Sequence, residues 1–585
     1  MNPAKNNRIK QQHILIGILL WLLVFLGSIL VGSCIEQATP EQSAITLLMP
    51  VLDDVLSHPP HYFQHLPKTA EGWKFAGIGF LFGAIACMKS YASYKEKEDL
   101  LPARENGSAK WHENMKSFRA AYVDQPLLGS GSPNMILTQD IFLSMDTRKT
   151  RRNNNVLVIG GTGTGKSRAI IMPNLMQANS SFVITDPSGE LLESMGEFLK
   201  SEGYVIKVLN LEDTRYSDSY NPFSYALGEE GILSMITALI ANTTPKGAHP
   251  SDPFWEKAET ALLQAICFYI REEYTPAEHN FSTVMYMLRL AEAEEGETST
   301  LDTLFERFEQ NHPDHIAATS YAVFRSAGGG KTAQSIVISA QSRLAAFNLA
   351  SIRRLTNQDT MELQLLGKRK TALFCITPVD NPTFNFLVGL MYSQLFSTLY
   401  HIAATECPGK RLPHHVRFLL DEFANIGTIP NFNQLLATMR KFEISCTIVL
   451  QALSQLKALY RDDWEVIVGN CDSLILLGAS DKTTLEYFSS ILGKKTIRAI
   501  SSSQTYGRQK SYTKSFNKMG RELATPTELR TMDNNRCIYL LRGLDPFFST
   551  KFDPTTHPNY NKTGLSSDDR LYMVKKHKET GKRNG

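Results

Sequence analysis

An α/β fold with a mainly parallel sheet follows from three features of this chain. From Asn155 onward, short aliphatic and β-branched runs alternate with helical stretches, as buried strands of a parallel sheet do. The first run, Val156-Leu157-Val158-Ile159, passes directly into Gly160-Gly161-Thr162-Gly163-Thr164-Gly165-Lys166-Ser167. A later run, Arg417-Phe418-Leu419-Leu420, ends in the adjacent carboxylates Asp421 and Glu422. Further strands are predicted at Phe182–Thr185, Tyr204–Leu209, Leu373–Ile376, Cys446–Leu450, Leu474–Leu477 and Cys537–Leu541.

The glycine-rich octet fits G-x-x-x-x-G-K-[ST] and has the required strand before it. Gly160, Gly161, Thr162, Gly163, Thr164 and Gly165 let backbone N–H groups close around phosphates, Lys166 neutralises the β and γ oxygens, and the Ser167 hydroxyl suits Mg²⁺. A nucleoside triphosphate, ATP with Mg²⁺, is therefore the expected ligand. Asp421 is assigned to the metal side and Glu422 to polarising water as general base, since two carboxylates at the end of an apolar strand need a cation or water network. Gln451, after the Cys446–Leu450 strand, is placed to sense the γ-phosphate, and Arg440 to reach the phosphate of an adjacent subunit. Asp186 and Glu190 follow another strand; they border the same cleft or cap a helix. Gly328-Gly329-Gly330-Lys331-Thr332 is rejected as a second phosphate loop, because Arg325 holds the first glycine position and no strand precedes it.

The chain has 585 residues, too many for one core, with 43% hydrophobic residues and a formal charge of +3, which exclude a disordered acidic or strongly basic polymer. Its eight cysteines are scattered without a C-x-x-C pair and read as buried, reduced thiols. Ile14 to Ile35 is an uncharged apolar run long enough to cross a bilayer, and Phe75 to Met88, between Lys74 and Lys89, is read as a second span. Lys5, Arg8 and Lys10 before the first span and Lys89, Lys95 and Lys97 after the second put both termini in the cytoplasm. A cleaved leader or the lipobox-like Val31-Gly32-Ser33-Cys34 would export the phosphate loop away from ATP, and is set aside.

Between Gly228 and Leu365 strand signals stop. Helical periodicity replaces them, with Phe254, Ala258, Ala261, Leu262, Ala265 and Ile266 on one face, a helix start at Asp252-Pro253 and a solvated acidic loop at Glu292 to Glu297. The predicted division is an anchor at 1–95 (helices about 14–35 and 73–90), a nucleotide-binding domain in two parts at 96–227 and 366–560, an inserted all-α domain at 228–365 and a basic tail at 561–585. Lys494 to Arg521 interleaves basic residues with Tyr506, Tyr512 and Phe516. It is read as a solvated hairpin with Gly507 at its tip, the alternative being a single-stranded nucleic-acid contact.

Taken together, these residues resemble the type IV secretion coupling proteins, the TraG/TraD-type conjugation ATPases. The resemblance rests on the anchor, Gly160 to Ser167, Asp-Pro-x-Gly-Glu at Asp186 to Glu190, Asp252-Pro253-Phe254-Trp255, Leu419-Leu420-Asp421-Glu422-Phe423, Gln451, and Arg521 to Leu529. Ser188 stands where the family commonly has Lys, so no role requiring charge there is carried over. The resemblance implies a RecA-type motor domain, a homo-hexameric ring, ATP hydrolysis, and subunit-boundary roles for Arg440 and Gln451. It further implies delivery of relaxase-bound single-stranded DNA to type IV secretion channel components at the cell membrane. The alternatives are an ATP-gated receptor for protein cargo and an FtsK-like double-stranded DNA translocase; an ABC exporter is disfavoured by the absence of a Ser-Gly-Gly-Gln signature between Ser167 and Asp421.

Overall fold

The computed structural model describes residues 3–39, 43–99, 105–244, 253–292, 297–328, 330–378, 380–505 and 511–573. Asp252, residues 293–296 of the acidic loop, Tyr506, Gly507, Arg508, Lys510 and the tail Lys575–Gly585 lie outside them, as do the side chains of Lys5, Arg8, Lys10, Lys95, Lys97, Arg498, Tyr512, Lys514 and Phe516. Two units are distinguished: Met1–Ser108 with Lys494–Arg521, and Ala109–Gly493 with Glu522–Gly585.

In the first unit the helices are α1 (Pro3–Gln37), α2 (Ala44–Ser57) and α3 (Ala70–Asp99). Among the described residues one helix, over Leu15–Gln37 with mean hydropathy 2.7, is apolar and long enough to cross a bilayer. The expected second span lies within α3, whose side chains are described only as far as Lys89, and over those residues that measure is not met. α1 and α3 pack through small residues. A Cβ on Gly79 would collide with the Ser28 side chain, one on Gly83 with the Trp21 ring and one on Gly32 with the Gly72 carbonyl, so these glycines, with G-x-x-x-G at Gly79 and Gly83, bring the two helices close. Trp21 meets Phe80 edge-on at 5.0 Å, and its indole N–H donates to the Phe80 carbonyl at 3.2 Å. Leu23, Leu81 and Phe82 point outward, each more than 60% exposed. The same unit holds a two-stranded hairpin, Lys494–Thr505 with Ser511–Glu522. Within it the Lys518 ammonium pairs with Glu105 at 2.5 Å, so part of the basic charge is neutralised.

The second unit is built on a nine-stranded sheet. Its strands are β1 (Val156–Gly160), β2 (Ser181–Pro187), β3 (Val205–Asn210), β4 (Thr371–Thr377), β5 (Val416–Leu420), β6 (Ile444–Leu450), β7 (Ser473–Gly478), β8 (Arg536–Leu541) and β9 (Phe547–Thr550). Their order is β9-β8-β7-β1-β6-β5-β2-β4-β3. All neighbours from β7 to β3 are parallel, whereas β8 and β9 add an antiparallel edge. β9 was not read from the sequence: four residues after Pro546 carry too short an alternation to stand out.

Successive side chains serve opposite faces. Leu157, Ile159, Val183, Phe418 and Ile448 enter one core, while Val156, Val158, Phe182, Ile184, Leu419 and Val449 enter the other. Burial on both faces is why these strands read as unbroken apolar runs. The second face is covered by the segment Ser167–Met176 and by α4 (Glu190–Ser201). The core on the first face runs on into helices that follow β3, α5 (Gly228–Thr243), α6 (Pro253–Glu273), α7 (Phe281–Leu290), α8 (Thr300–Asn311), α9 (Ile316–Ser326), α10 (Lys331–Arg343) and α11 (Ala350–Thr356), and, after β4, α12 (Phe386–Thr405), which packs against α5. No strand lies between β3 and β4 among the described residues. On α6, Ala258, Ala261, Leu262, Ala265 and Ile266 are buried as the periodicity requires, but Phe254 is 39% exposed, stacked edge-on against Trp255. Of the rejected glycine run, Gly329 lies outside the described residues, Gly328 follows the end of α9, and Lys331 and Thr332 open α10, so helix, not strand, precedes it. All eight cysteines are free thiols, six of them buried.

Replacing Gly79 by Leu is expected to wedge α1 from α3 and lower the thermal midpoint of the detergent-solubilised chain by several degrees. Gly77→Leu, where a Cβ meets nothing within 4 Å, is the control and is expected to leave it unchanged.

Candidate active site

Register decides where the chemistry falls. β1 pairs with β6 (Ile159 opposite Leu450) and β6 with β5 (Ile448 opposite Leu420), so the strands terminate along one edge of the sheet. Gly160, Gln451 and Asp421 are thereby delivered side by side, with β6 lying between the glycine-rich strand and the acidic one. A cleft of ≈ 410 Å³ opens there, lined by the glycine-rich loop together with Lys166, Ser167, Asp186, Asp421, Glu422 and Gln451.

The loop is held open by its own chain. Gly163 and Gly165 both have φ of +76°, a conformation that L side chains strain to adopt. The Thr164 hydroxyl donates to the Gly161 carbonyl at 2.7 Å, and the Gly161 N–H donates to the Gly478 carbonyl at 2.9 Å. The Lys166 ammonium rests on the Gly161 carbonyl at 3.3 Å, a contact one better acceptor would replace. Ser167 opens a π-helical turn, Ser167–Ile171, in which the Met172 N–H bonds back to the Ser167 carbonyl. Pro173 explains it: without an N–H it cannot bond the Ala169 carbonyl, so the turn widens.

Opposite Lys166, the Ser167 hydroxyl donates to an Asp421 carboxylate oxygen. Asp421 is only 4% exposed. Burial pushes its carboxyl above the usual range, with the Glu422 charge adding to the rise and Ser167 and Lys166 opposing it. A hydroxyl and a buried carboxylate in contact are an oxygen-donor pair that a hard divalent cation can bridge, so the residues present fit Mg²⁺. Glu422 has φ of +48°, left-handed backbone for a residue with a Cβ. Its two carboxylate oxygens receive the Gln451 amide at 3.3 Å and the Asn425 amide at 2.9 Å. The Gln451 backbone N–H is in turn fixed by the Gln455 side chain at 2.9 Å.

Asp186 fulfils both readings left open for it. It lines the cleft, and its carboxylate accepts the Leu191 and Leu192 N–H groups at 2.9 and 2.7 Å, capping α4. Ser188 and Gly189 are both left-handed, which turns the chain sharply enough for this reach. Burial pushes the Asp186 carboxyl up to about 7, with those two N–H donors opposing the rise and the Asp421 and Glu190 charges adding to it.

Arg440 is not brought to this cleft. It lies in the turn before β6, at the opposite end of that strand from Gln451, and its guanidinium donates to the Thr147 carbonyl at 3.0 Å. Seven strand residues separate the two ends by roughly 20 Å. Two residues of the site were not singled out in the sequence. Asn425 is a loop amide with no motif to mark it. Lys551, nearly four hundred residues from the glycine-rich loop, donates to the Thr164 carbonyl at 2.8 Å.

A parallel sheet with a phosphate-type loop, an adjacent acidic strand end and an intervening polar strand end defines a RecA-type P-loop α/β protein. This chain belongs to the Type IV secretory system Conjugative DNA transfer family, which it matches over residues 111–553. It is 26% identical over 400 residues to Protein VirD4 of Agrobacterium fabrum (strain C58 / ATCC 33970), covering 67% of this chain and 57% of that protein. To Conjugal transfer protein TraG of Escherichia coli it is 26% identical over 402 residues, covering 65% of this chain and 62% of that protein. The match thus spans less than two thirds of the length of either relative. Among solved structures, plasmid coupling protein TrwB in complex with ADP and Mg²⁺ shares the fold at a TM-score of 0.55 and 16% identity, over 77% of this chain and 97% of that one.

The raised Asp186 carboxyl has a defined consequence for stability without nucleotide. The folded protein holds that proton up to about pH 7, whereas the unfolded chain releases it near 3.8, so stability falls as pH rises between those values. Asp186→Asn is expected to flatten this slope in thermal melts recorded from about pH 4 to about pH 7. An unchanged slope refutes the assignment.

Proposed function

We propose that this chain is a membrane-anchored ATPase that couples ATP hydrolysis to conjugative DNA transfer through a type IV secretion channel. The observation that carries the reading is the convergence of Lys166, Ser167, Asp421, Glu422 and Gln451 on one cleft in a chain of the conjugative DNA transfer family. The bound nucleotide is ATP, cradled by Gly160 to Ser167, and Lys166 exchanges the Gly161 carbonyl for a phosphate oxygen. Ser167 and Asp421 would hold Mg²⁺, which would supply positive charge against that developing on the phosphoryl group. Glu422 accepts a proton from the attacking water, and Gln451, hydrogen-bonded to it, senses whether a γ-phosphate is present. Asn425 positions the Glu422 carboxylate until substrate reorganises the site.

Several finer readings accompany this one. Residues 1–95 form the anchor, with α1 and α3 both crossing the membrane and both termini cytoplasmic. The outward apolar side chains of the α1–α3 pair support that reading. Residues 96–227 and 366–560 form the motor domain, 228–365 the all-α insertion and 561–585 a basic tail. The chains assemble as a homo-hexamer in which Arg440, remote from its own cleft, serves the nucleotide of a neighbour. The cargo is a relaxase bound to single-stranded DNA.

The full-length chain in detergent is expected to hydrolyse ATP faster with single-stranded DNA than with duplex or none. Glu422→Gln is expected to lower turnover by about 10²-fold or more while keeping ATP affinity, and Lys166→Ala to weaken binding itself. Full transfer activity by a Glu422→Gln chain that no longer turns over would instead favour a receptor gated by nucleotide binding. Stimulation by duplex alone would favour a double-stranded DNA translocase.

A further inference from the structure

Outside the cleft, the connection between α1 and α3 concentrates imidazoles around one carboxylate. Asp54 lies in the last turn of α2, and His58 caps that helix, its N–H donating to the Asp54 carbonyl at 2.8 Å. Pro59 and Pro60 then open a 3₁₀ turn, Pro59–His65, that carries His61 and His65. The His61 Nδ1 lies 3.0 and 3.3 Å from the two Asp54 oxygens, and the His65 Nε2 lies 2.9 Å from one of them. The His58 Nδ1 faces the same carboxylate at 3.9 Å. The donor atoms of Asp54, His58 and His61 all fall within 4.8 Å of one another, with the His58 and His61 rings stacked at 5.0 Å.

We propose that Asp54, His58, His61 and His65 form a binding site for one divalent transition-metal ion, zinc being the best match to their three nitrogens and one oxygen. Zinc takes such ligands at about 2.0–2.1 Å in a tetrahedron, and the edges of that tetrahedron measure roughly 3.3 Å. The separations of the three imidazoles from the Asp54 oxygens, 2.9 to 3.9 Å, bracket that edge, and among Asp54, His58 and His61 no donor separation exceeds 4.8 Å, so a small closure of the turn, with His65 swinging in from its place on Asp54, completes the set. Hydrogen bonding alone does not account for the set: His58 is beyond hydrogen-bond reach of the carboxylate, yet presents a ring nitrogen to it. Imidazole donors disfavour Mg²⁺ and Ca²⁺, which require oxygen. The chain is arranged before any ion arrives. Two consecutive prolines fix φ and limit the conformations available to the turn, which lowers the entropy lost on closing the ligands around a cation. Beside His61, the Tyr62 hydroxyl donates to the Leu26 carbonyl of α1 at 3.2 Å, so an ion here also fastens the turn to the helix pair. The side chains are between 22% and 65% exposed, open enough for an ion to enter.

The test uses the full-length chain in detergent, purified without a polyhistidine tag, stripped with chelator and equilibrated with zinc at micromolar concentration without nucleotide. Elemental analysis is expected to find about one zinc per chain, and cobalt substitution to give the intense visible bands of a four-coordinate site. His58→Ala/His61→Ala/His65→Ala is expected to lose both signals, and Asp54→Ala to weaken zinc affinity at least ~10-fold. His312→Ala/His315→Ala, which alters the other paired histidines near carboxylates, is expected to retain them. Circular dichroism of each variant checks that it is folded, and the single change His61→Gln serves if the triple variant is not. A wild-type chain with no more zinc than the folded triple variant, or with only the pale spectrum of six-coordinate cobalt, overturns the proposal.

Discussion

The parallel ladders β1–β6 and β6–β5 are the constraint on which the rest of the second unit depends. Their register places Gly160, Gln451 and Asp421 on one edge of the sheet. A slip of one residue would turn Leu419 toward the face now filled by Phe418 and Leu420, and would carry Asp421 away from Ser167. Because both faces of the sheet are buried and close-packed, such a slip would mispack side chains in two layers at once. The position of the active cleft is therefore enforced by the hydrophobic core, not by the polar contacts within the cleft.

Those polar contacts are costly by themselves. Asp186 and Asp421 are buried carboxyls whose pKa values are both raised, with Glu422 and Glu190 close by. Lys166, the Ser167 hydroxyl and the N–H groups at the start of α4 offset part of that cost. Left-handed backbone at Ser188 and at Glu422 adds strain of order 1–2 kcal/mol each. Such an arrangement is stabilised by a cation and a phosphate chain arriving between the charges. Asn425 and Gln451 hold the Glu422 carboxylate in the meantime.

The first unit solves a different problem. Its helix pair exposes large apolar side chains and packs through glycines, the pattern expected where the surroundings are as apolar as the side chains and close backbone approach replaces hydrophobic burial. Polar groups collect instead in the turn between the helices, where His58, His61 and His65 face Asp54.

The parallel sheet was legible in the residues because burial on two faces leaves uninterrupted runs such as Phe182–Thr185 and Cys446–Leu450, and the phosphate loop because its glycines and Lys166 are local in sequence. Strand β9 and the exposed placement of Phe254 were not, since one is too short for a period and the other depends on where α6 ends against its neighbours. What the chain by itself determined is the identity of each strand and of the groups able to do chemistry at its end. What only the tertiary structure decided is which ends are neighbours: that β6 lies between β1 and β5, that Lys551 braces the Thr164 carbonyl and that Asn425 faces Glu422. Strand order and long-range contacts arise from packing between segments hundreds of residues apart, and no local pattern encodes a partner at that distance.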